Sequence, residues 1–242
     1  MKASNHQIWV SGIDVQVVRK DIKNLHLAVY PPNGQVRVAA PYHVNDENVR
    51  LAVVSKLGWI KRQQKDFNKQ ARQTDRQFIS GECHYFFGKQ YRLEVCETLG
   101  KQSVSVKRSG RLRLKVRLNV ITSSKEKLLN DWYRQQLKSE IEPLVEKWEA
   151  ILGDKVAAWR VRKMKTKWGS CNIEQRRILL NLELAKKPLE CLEYILLHEM
   201  LHFTERKHNE RFKVLCDQHM PDWRARRALL NSMPLGHETW SY

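Results

Sequence analysis

Leu189-Glu190-Cys191-Leu192-Glu193-Tyr194-Ile195-Leu196-Leu197-His198-Glu199-Met200-Leu201-His202 has the length and apolar content of a buried helix. Pro188 directly before it suits a first helical position, where a missing N–H costs nothing. In such a helix His198 and His202 are four residues apart and project from one face, one turn apart. Two imidazole nitrogens so placed can bind one tetrahedral ion at ~2.0–2.1 Å each. Glu199 lies about 100° around the helix from His198. There its carboxylate can take a proton from water without being a ligand. This is an H-E-x-x-H pattern, and with nine His in 242 residues it is expected by accident only about 0.02 times.

A hydrolytic zinc site usually has three protein ligands and one open position. His208 is six residues beyond His202, too far for the same helical face. A turn at Glu205-Arg206-Lys207 is expected to swing it back, with Asn209 capping a new helix over Glu210–Gln218. A glutamate on a following helix is the other common solution, but none lies between Glu210 and Glu238. Glu205 and Glu210 have awkward geometry, and His219, Asp217 and Asp222 are the remaining rivals. His208 is the preferred third ligand, giving one Zn²⁺ per chain.

Outward from this helix, Val156–Arg162, Lys165–Cys171 and Arg177–Leu184 read as strands, the last from its alternation. Ile178–Leu184 or Lys165–Cys171 is a candidate edge for an extended peptide. Ser123 and Glu126 suggest a capping box for a long helix, kinked at Pro143 and stopped by Gly153. Further upstream, alternating apolar residues predict hairpins turning near Pro31–Gly34, Gly88-Lys89 and Ser109-Gly110. One helix is expected from Asp46 to Gln73. The fold class is α+β, a β-rich basic N-terminal region (residues 1–122) before a catalytic region (residues 123–242). No internal repeat is visible.

The charge is +18, and residues 1–122 hold 22 Lys and Arg against 9 Asp and Glu. On the strand from Arg111 to Leu118, Arg111, Arg113, Lys115 and Arg117 share one face, a candidate nucleic-acid contact. Five cysteines without a C-x-x-C pair argue against a disulfide framework. No apolar run is long enough to span a bilayer, and the N-terminus lacks a signal-like stretch, so a cytoplasmic protein is expected.

The runs Lys167-Trp168-Gly169-Ser170-Cys171, Ile178-Leu179-Leu180-Asn181-Leu182, His198–His202, His208-Asn209-Glu210-Arg211-Phe212 and Met220-Pro221-Asp222-Trp223 resemble the YgjP-like metallopeptidase family, relatives of the SprT-like and WLM zinc peptidases. The β-rich beginning and Gly58-Trp59-Ile60 fit as well, so the resemblance spans most of the chain. It implies a zincin-like core of minigluzincin type with an HExxH helix, ligands His198, His202 and His208, and Glu199 as base. Metzincins share the spacing but carry Gly where Glu205 stands, and a left-handed turn favours Gly. Ribosome-maturation hydrolases use three similarly spaced His but lack a glutamate at the position of Glu199. The expected activity is zinc-dependent cleavage of protein or peptide substrates, of the metalloendopeptidase type. The alternatives are a metal-dependent nucleic-acid-binding protein or an RNA hydrolase using the same three histidines. For the oxyanion partner, His219, Tyr194 or an arginine are open.

Overall fold

The computed structural model describes residues 5–30, 34–69, 76–164 and 167–232. They divide into two compact units, the first holding the described residues through 69 and the second those from 76 to 232. The boundary expected at 122–123 falls inside the second unit, at the start of a helix packed on the preceding strands.

In the first unit, β1 (Asn5–Val10) and β2 (Ile13–Lys20) form a hairpin, as do β3 (His26–Tyr30) and β4 (Gln35–Pro41). β2 and β4 run parallel at the centre, Val15 opposite Val36 and Val17 opposite Val38, so the order is β1-β2-β4-β3. Alternation buries Ile13, Val15 and Val17 against Val36, Val38 and Ala40. Asn45 caps α1 (Asp46–Ser55) by accepting the Asn48 N–H, and Val49 and Val53 cover the sheet. The helix expected as one piece breaks at Lys56, and α2 (Leu57–Lys69) follows with Ile60 in the same core. Gln70–Gln73 of that expectation, and Pro31–Asn33 of the predicted turn, lie outside the described residues.

The second unit opens with β5 (Cys83–Phe86), β6 (Lys89–Glu97), β7 (Ser103–Lys107) and β8 (Arg111–Val116), in the order β5-β6-β8-β7. β6 and β8 are parallel, with Leu93 opposite Leu112 and Val95 opposite Leu114. The first hairpin turns at Phe87-Gly88, one residue earlier than expected, because φ is positive at both (43° and 78°). α3 (Thr122–Leu152) lays Leu129, Tyr133 and Leu137 in the same core. Its N-cap is Ile121, without a side-chain hydrogen bond, so the expected capping box does not form. The helix continues through Pro143 and stops at Gly153, whose φ of 70° closes it.

A three-stranded sheet follows: β9 (Ala158–Arg162), β10 (Gly169–Asn172) and β11 (Arg177–Asn181), in the order β10-β11-β9. The strand expected to reach Leu184 ends at Asn181. There the Asn181 side chain accepts the Glu183 N–H and starts a 3₁₀ turn, Leu182–Lys186, with Leu182 through Ala185 all buried. Its apolar alternation therefore reflects burial on every side, not a strand period. Then come α4 (Leu189–Leu201), α5 (Glu210–His219) and α6 (Trp223–Ser232). α4 packs against α3, α5, α6, β10 and β11, at the centre of the larger core.

Candidate metal centre

His198 and Glu199 lie in the last turn of α4, and His202 is its C-cap. Residues 203–208 fold back through hydrogen bonds from Phe203, Thr204 and Glu205 N–H groups to the carbonyls of Met200 and Leu201. Asn209 then caps α5 by accepting the Phe212 N–H at 3.0 Å. This brings His208 Nε2 to 2.9 Å from His198 Nε2. One ligand nitrogen from each of His198, His202 and His208 lies within 4.8 Å of the others. Two zinc–nitrogen bonds at a tetrahedral angle separate their nitrogens by roughly 3.3 Å, so small adjustments complete a metal geometry.

The donor chemistry fits a metal as well as the spacing does. His202 Nδ1 donates to the Glu205 carbonyl at 3.0 Å, which leaves Nε2 as its lone-pair nitrogen. His198 is pushed down to about 3 by burial, then by His202, His208 and Arg227, so it stays neutral. His208 is lowered by burial, His202 and Arg227. Neutral imidazoles are what Zn²⁺ requires.

Phe212 is the residue that sequence reasoning passed over. Its ring centroid lies 4.9 Å from His198, 4.8 Å from His202 and 4.9 Å from His208, wedging all three imidazoles. The available signal was its place three residues after the Asn209 cap, where a buried side chain faces back toward the turn.

Glu199 is buried, and burial raises its pKa to about 7, opposed by the charge of Lys167. β10 lies almost on its carboxylate: a Cβ at Gly169 would meet Glu199 Oε1 at 2.7 Å and Ile195 Cγ2 at 2.9 Å. Only glycine permits that approach. Asn181 fixes the strand's entry, donating to the Met164 and Lys167 carbonyls at 2.8 Å while its own N–H bonds Trp168 O. The result is an open cleft of about 1080 Å³, walled by β10, the end of α4, the His208 turn and Arg227 of α6. Of the two expected substrate edges, β10 is the outer strand beside the cleft, whereas β11 is central. Lys165 and Thr166 of that expectation lie outside the described residues.

Two of the rival ligands are engaged elsewhere. Asp217 accepts from Trp223 Nε1 at 2.7 Å and pairs with Arg224, and Asp222 pairs with Arg226 at 2.8 Å. His219 does not join the three-histidine group. Tyr194 is buried between Trp223 and the edge of His198, and does not line the cleft. The basic face of β8 is not part of the cleft either. Arg113 and Arg111 share Glu94, at 2.8 and 3.7 Å, with Arg111 still exposed, which leaves Lys115 and Arg117 as the charges of that row with no carboxylate partner among the described residues. Half of the expected phosphate-facing row is thus partly neutralised. The five cysteines are free thiols, and no described helix is long and apolar enough to cross a membrane.

Three convergent imidazoles, a buried carboxylate and an exposed strand edge are the parts of a metal-dependent hydrolase. The family described as "YgjP-like, metallopeptidase domain" matches residues 23–233, and the chain belongs to it. It thus carries the domain of a metal-dependent peptidase. Among solved structures, the metallopeptidase zymogen abylysin of Pyrococcus abyssi is similar at 26% identity, over 36% of this chain and 86% of its own, with a TM-score of 0.33. No curated protein matches.

Proposed function

We propose that the protein is a zinc-dependent peptidase of the zincin type that cleaves within polypeptide chains. The observation that carries this is the buried Glu199 carboxylate, lying against the Gly169 edge of β10 and lining one cleft with the three convergent imidazoles. His198, His202 and His208 would hold the ion. When bound, zinc supplies Lewis acidity for the attacking water and the scissile carbonyl. Glu199 takes the proton of that water and delivers it to the leaving amine. A pKa near 7 suits both halves of this transfer, and the ion's charge would draw it downward. β10, with its outer backbone groups unpaired in the sheet, aligns an extended substrate by main-chain hydrogen bonds. The cleft is open to solvent, which suits an extended chain and is the basis for reading the cleavage as internal.

The test is Glu199→Gln, which keeps the shape and removes the basic carboxylate. Zinc content should stay near one per chain, while turnover of dye-quenched casein falls about 10²–10⁴-fold. Equal rates in the two proteins would overturn the mechanism. Loss of zinc from His219→Ala but not from His208→Ala would reassign the third ligand.

A further inference from the structure

Three arginines stand close together on α6, and two are committed to carboxylates. Arg224 pairs with Asp217, while Arg226 pairs with Glu193 at 2.6 Å and Asp222 at 2.8 Å. Arg227 differs from both. Among the described residues its side chain has no hydrogen bond or ion pair, and it is the α6 residue that lines the cleft with His198, Glu199 and His208. A cation left unpaired beside neighbours that are paired is available to an anion that arises in the cleft. The other charged groups there are Lys167, Glu174, Glu199 and Arg206. Glu199 is assigned to the proton.

We propose that Arg227 stabilises the oxyanion formed when water adds to the scissile carbonyl. This deepens the peptidase reading and rests on it. In the step, a water oxygen bonds to the carbonyl carbon and its proton passes to Glu199. The carbonyl π pair moves onto oxygen, which becomes negative. Collapse of this adduct breaks the C–N bond, and the nitrogen receives the proton from Glu199. Negative charge on the oxygen exists only between those events, so a guanidinium lining the same cleft favours the transition state over the ground state. Its planar fork suits a gem-diolate oxygen pair better than a lysine ammonium does. Of the candidates open at the outset, Tyr194 and His219 do not line the cleft, whereas two arginines do: Arg206 on the exposed turn after α4, and Arg227 on α6.

The experiment uses the full-length zinc-loaded protein and four variants: Arg227→Ala, Arg227→Lys, Arg224→Ala as a control on the same helix, and Glu199→Gln. Dye-quenched casein reads turnover. Calorimetric titration with N-phosphoryl-Leu-Trp reads affinity for a tetrahedral anion, and acetohydroxamate reads access to zinc alone. Arg227→Ala should lose about 10²–10³-fold in kcat with little change in KM, as for removal of one oxyanion donor. Its phosphoryl-dipeptide affinity should fall at least tenfold, with zinc content and hydroxamate binding unchanged. Arg227→Lys should fall between Arg227→Ala and the parent, and Arg224→Ala should match the parent.

Equal phosphoryl-dipeptide affinity in parent and Arg227→Ala would overturn the assignment. A raised KM with kcat kept would also overturn it, making Arg227 an anchor for a ground-state substrate. So would loss of zinc or hydroxamate binding from Arg227→Ala, which marks a structural role. If casein is not turned over by the parent, the two binding arms still decide the role of Arg227, while the Glu199→Gln comparison bears on the peptidase reading. A parent chain that binds no zinc would overturn both.

Discussion

The two four-stranded sheets are built to one plan and used differently. β1-β2-β4-β3 and β5-β6-β8-β7 have the same order, outer antiparallel hairpins and a parallel central pair, and each is followed by a helix on one face. Even the first turns match: Ser11-Gly12 and Phe87-Gly88 both take two positive φ values, the type I′ hairpin. What differs is what each sheet and its helix reach. In the first unit the helix breaks at Lys56, the sheet core is made mostly of Val and Ile, and nothing lies within 4 Å of a Cβ at Gly12. In the second, α3 runs for 31 residues and packs on the 3₁₀ turn and α4, and its sheet core is Leu93, Leu112 and Leu114. Gly88 presses on Pro188, where a Cβ would meet Cγ at 2.7 Å, and Phe87 N–H bonds Ala185 O. One sheet supports itself. The other is a base for the helix that presents His198 and Glu199.

Core truncation should separate the two most strongly. Leu114→Ala is expected to cost about 2–5 kcal/mol and to lower zinc retention on warming, because its core is continuous with α4. Val38→Ala in the matching strand should destabilise its own sheet and leave zinc bound. Urea melts read with a zinc indicator check this, and parallel zinc loss in both variants would mean that the units unfold together.

Next comes the clamp on the ligands. Phe212→Ala should weaken zinc binding about 10–100-fold, the usual scale for groups that orient metal ligands. Chelator competition measures it, and unchanged affinity would mean that backbone geometry alone fixes the three imidazoles.

The two turn glycines give a smaller contrast. Gly12→Ala should cost only the left-handed penalty of roughly 1–2 kcal/mol and spare activity. Gly88→Ala adds a clash with Pro188, directly before α4, and should melt lower and lose part of its turnover. Equal melting points would show that Pro188 yields freely.

The smallest effect is a difference in pH slope. His84 is buried in the second unit and its pKa is lowered to about 4, by burial and then Arg76, with Glu82 pulling upward. A folded value below the ordinary 6.5 means that its stabilisation is present above pH 6.5. It is lost as pH falls from 6.5 toward 4. His84→Gln should flatten that acid limb in zinc-free melts, and an unchanged limb would assign it to other groups.

Much of this is legible in the sequence. Alternation marked the β3–β4, β5–β6 and β7–β8 hairpins but not the one that β1 makes with β2, Asn45 and Asn209 announced their helices, and Gly153 its stop. These are local signals, set by side-chain period, a capping oxygen or one glycine φ. Misreadings arose where burial or packing outweighed local pattern. Leu182 and Leu184 alternate like a strand yet sit in a 3₁₀ turn started by Asn181. Ser123 and Glu126 spell a capping box that the helix does not use. The matching sheets were invisible as a repeat because topology constrains which faces are apolar, not which residues make them so.

By itself the sequence determined that His198 and His202 share a helical face with Glu199 beside them, because 3.6 residues per turn leave no other arrangement. It also narrowed the third nitrogen to a few candidates. Only the tertiary structure decided that His208 returns to within 2.9 Å of His198, that Phe212 wedges all three rings, and that Gly169 lets β10 lie on Glu199. It alone left Arg227 unpaired in the cleft while Arg224 and Arg226 found carboxylates. Helical spacing acts over a single turn, whereas these juxtapositions depend on how β10, α4, α5 and α6 pack, and no local pattern encodes that packing.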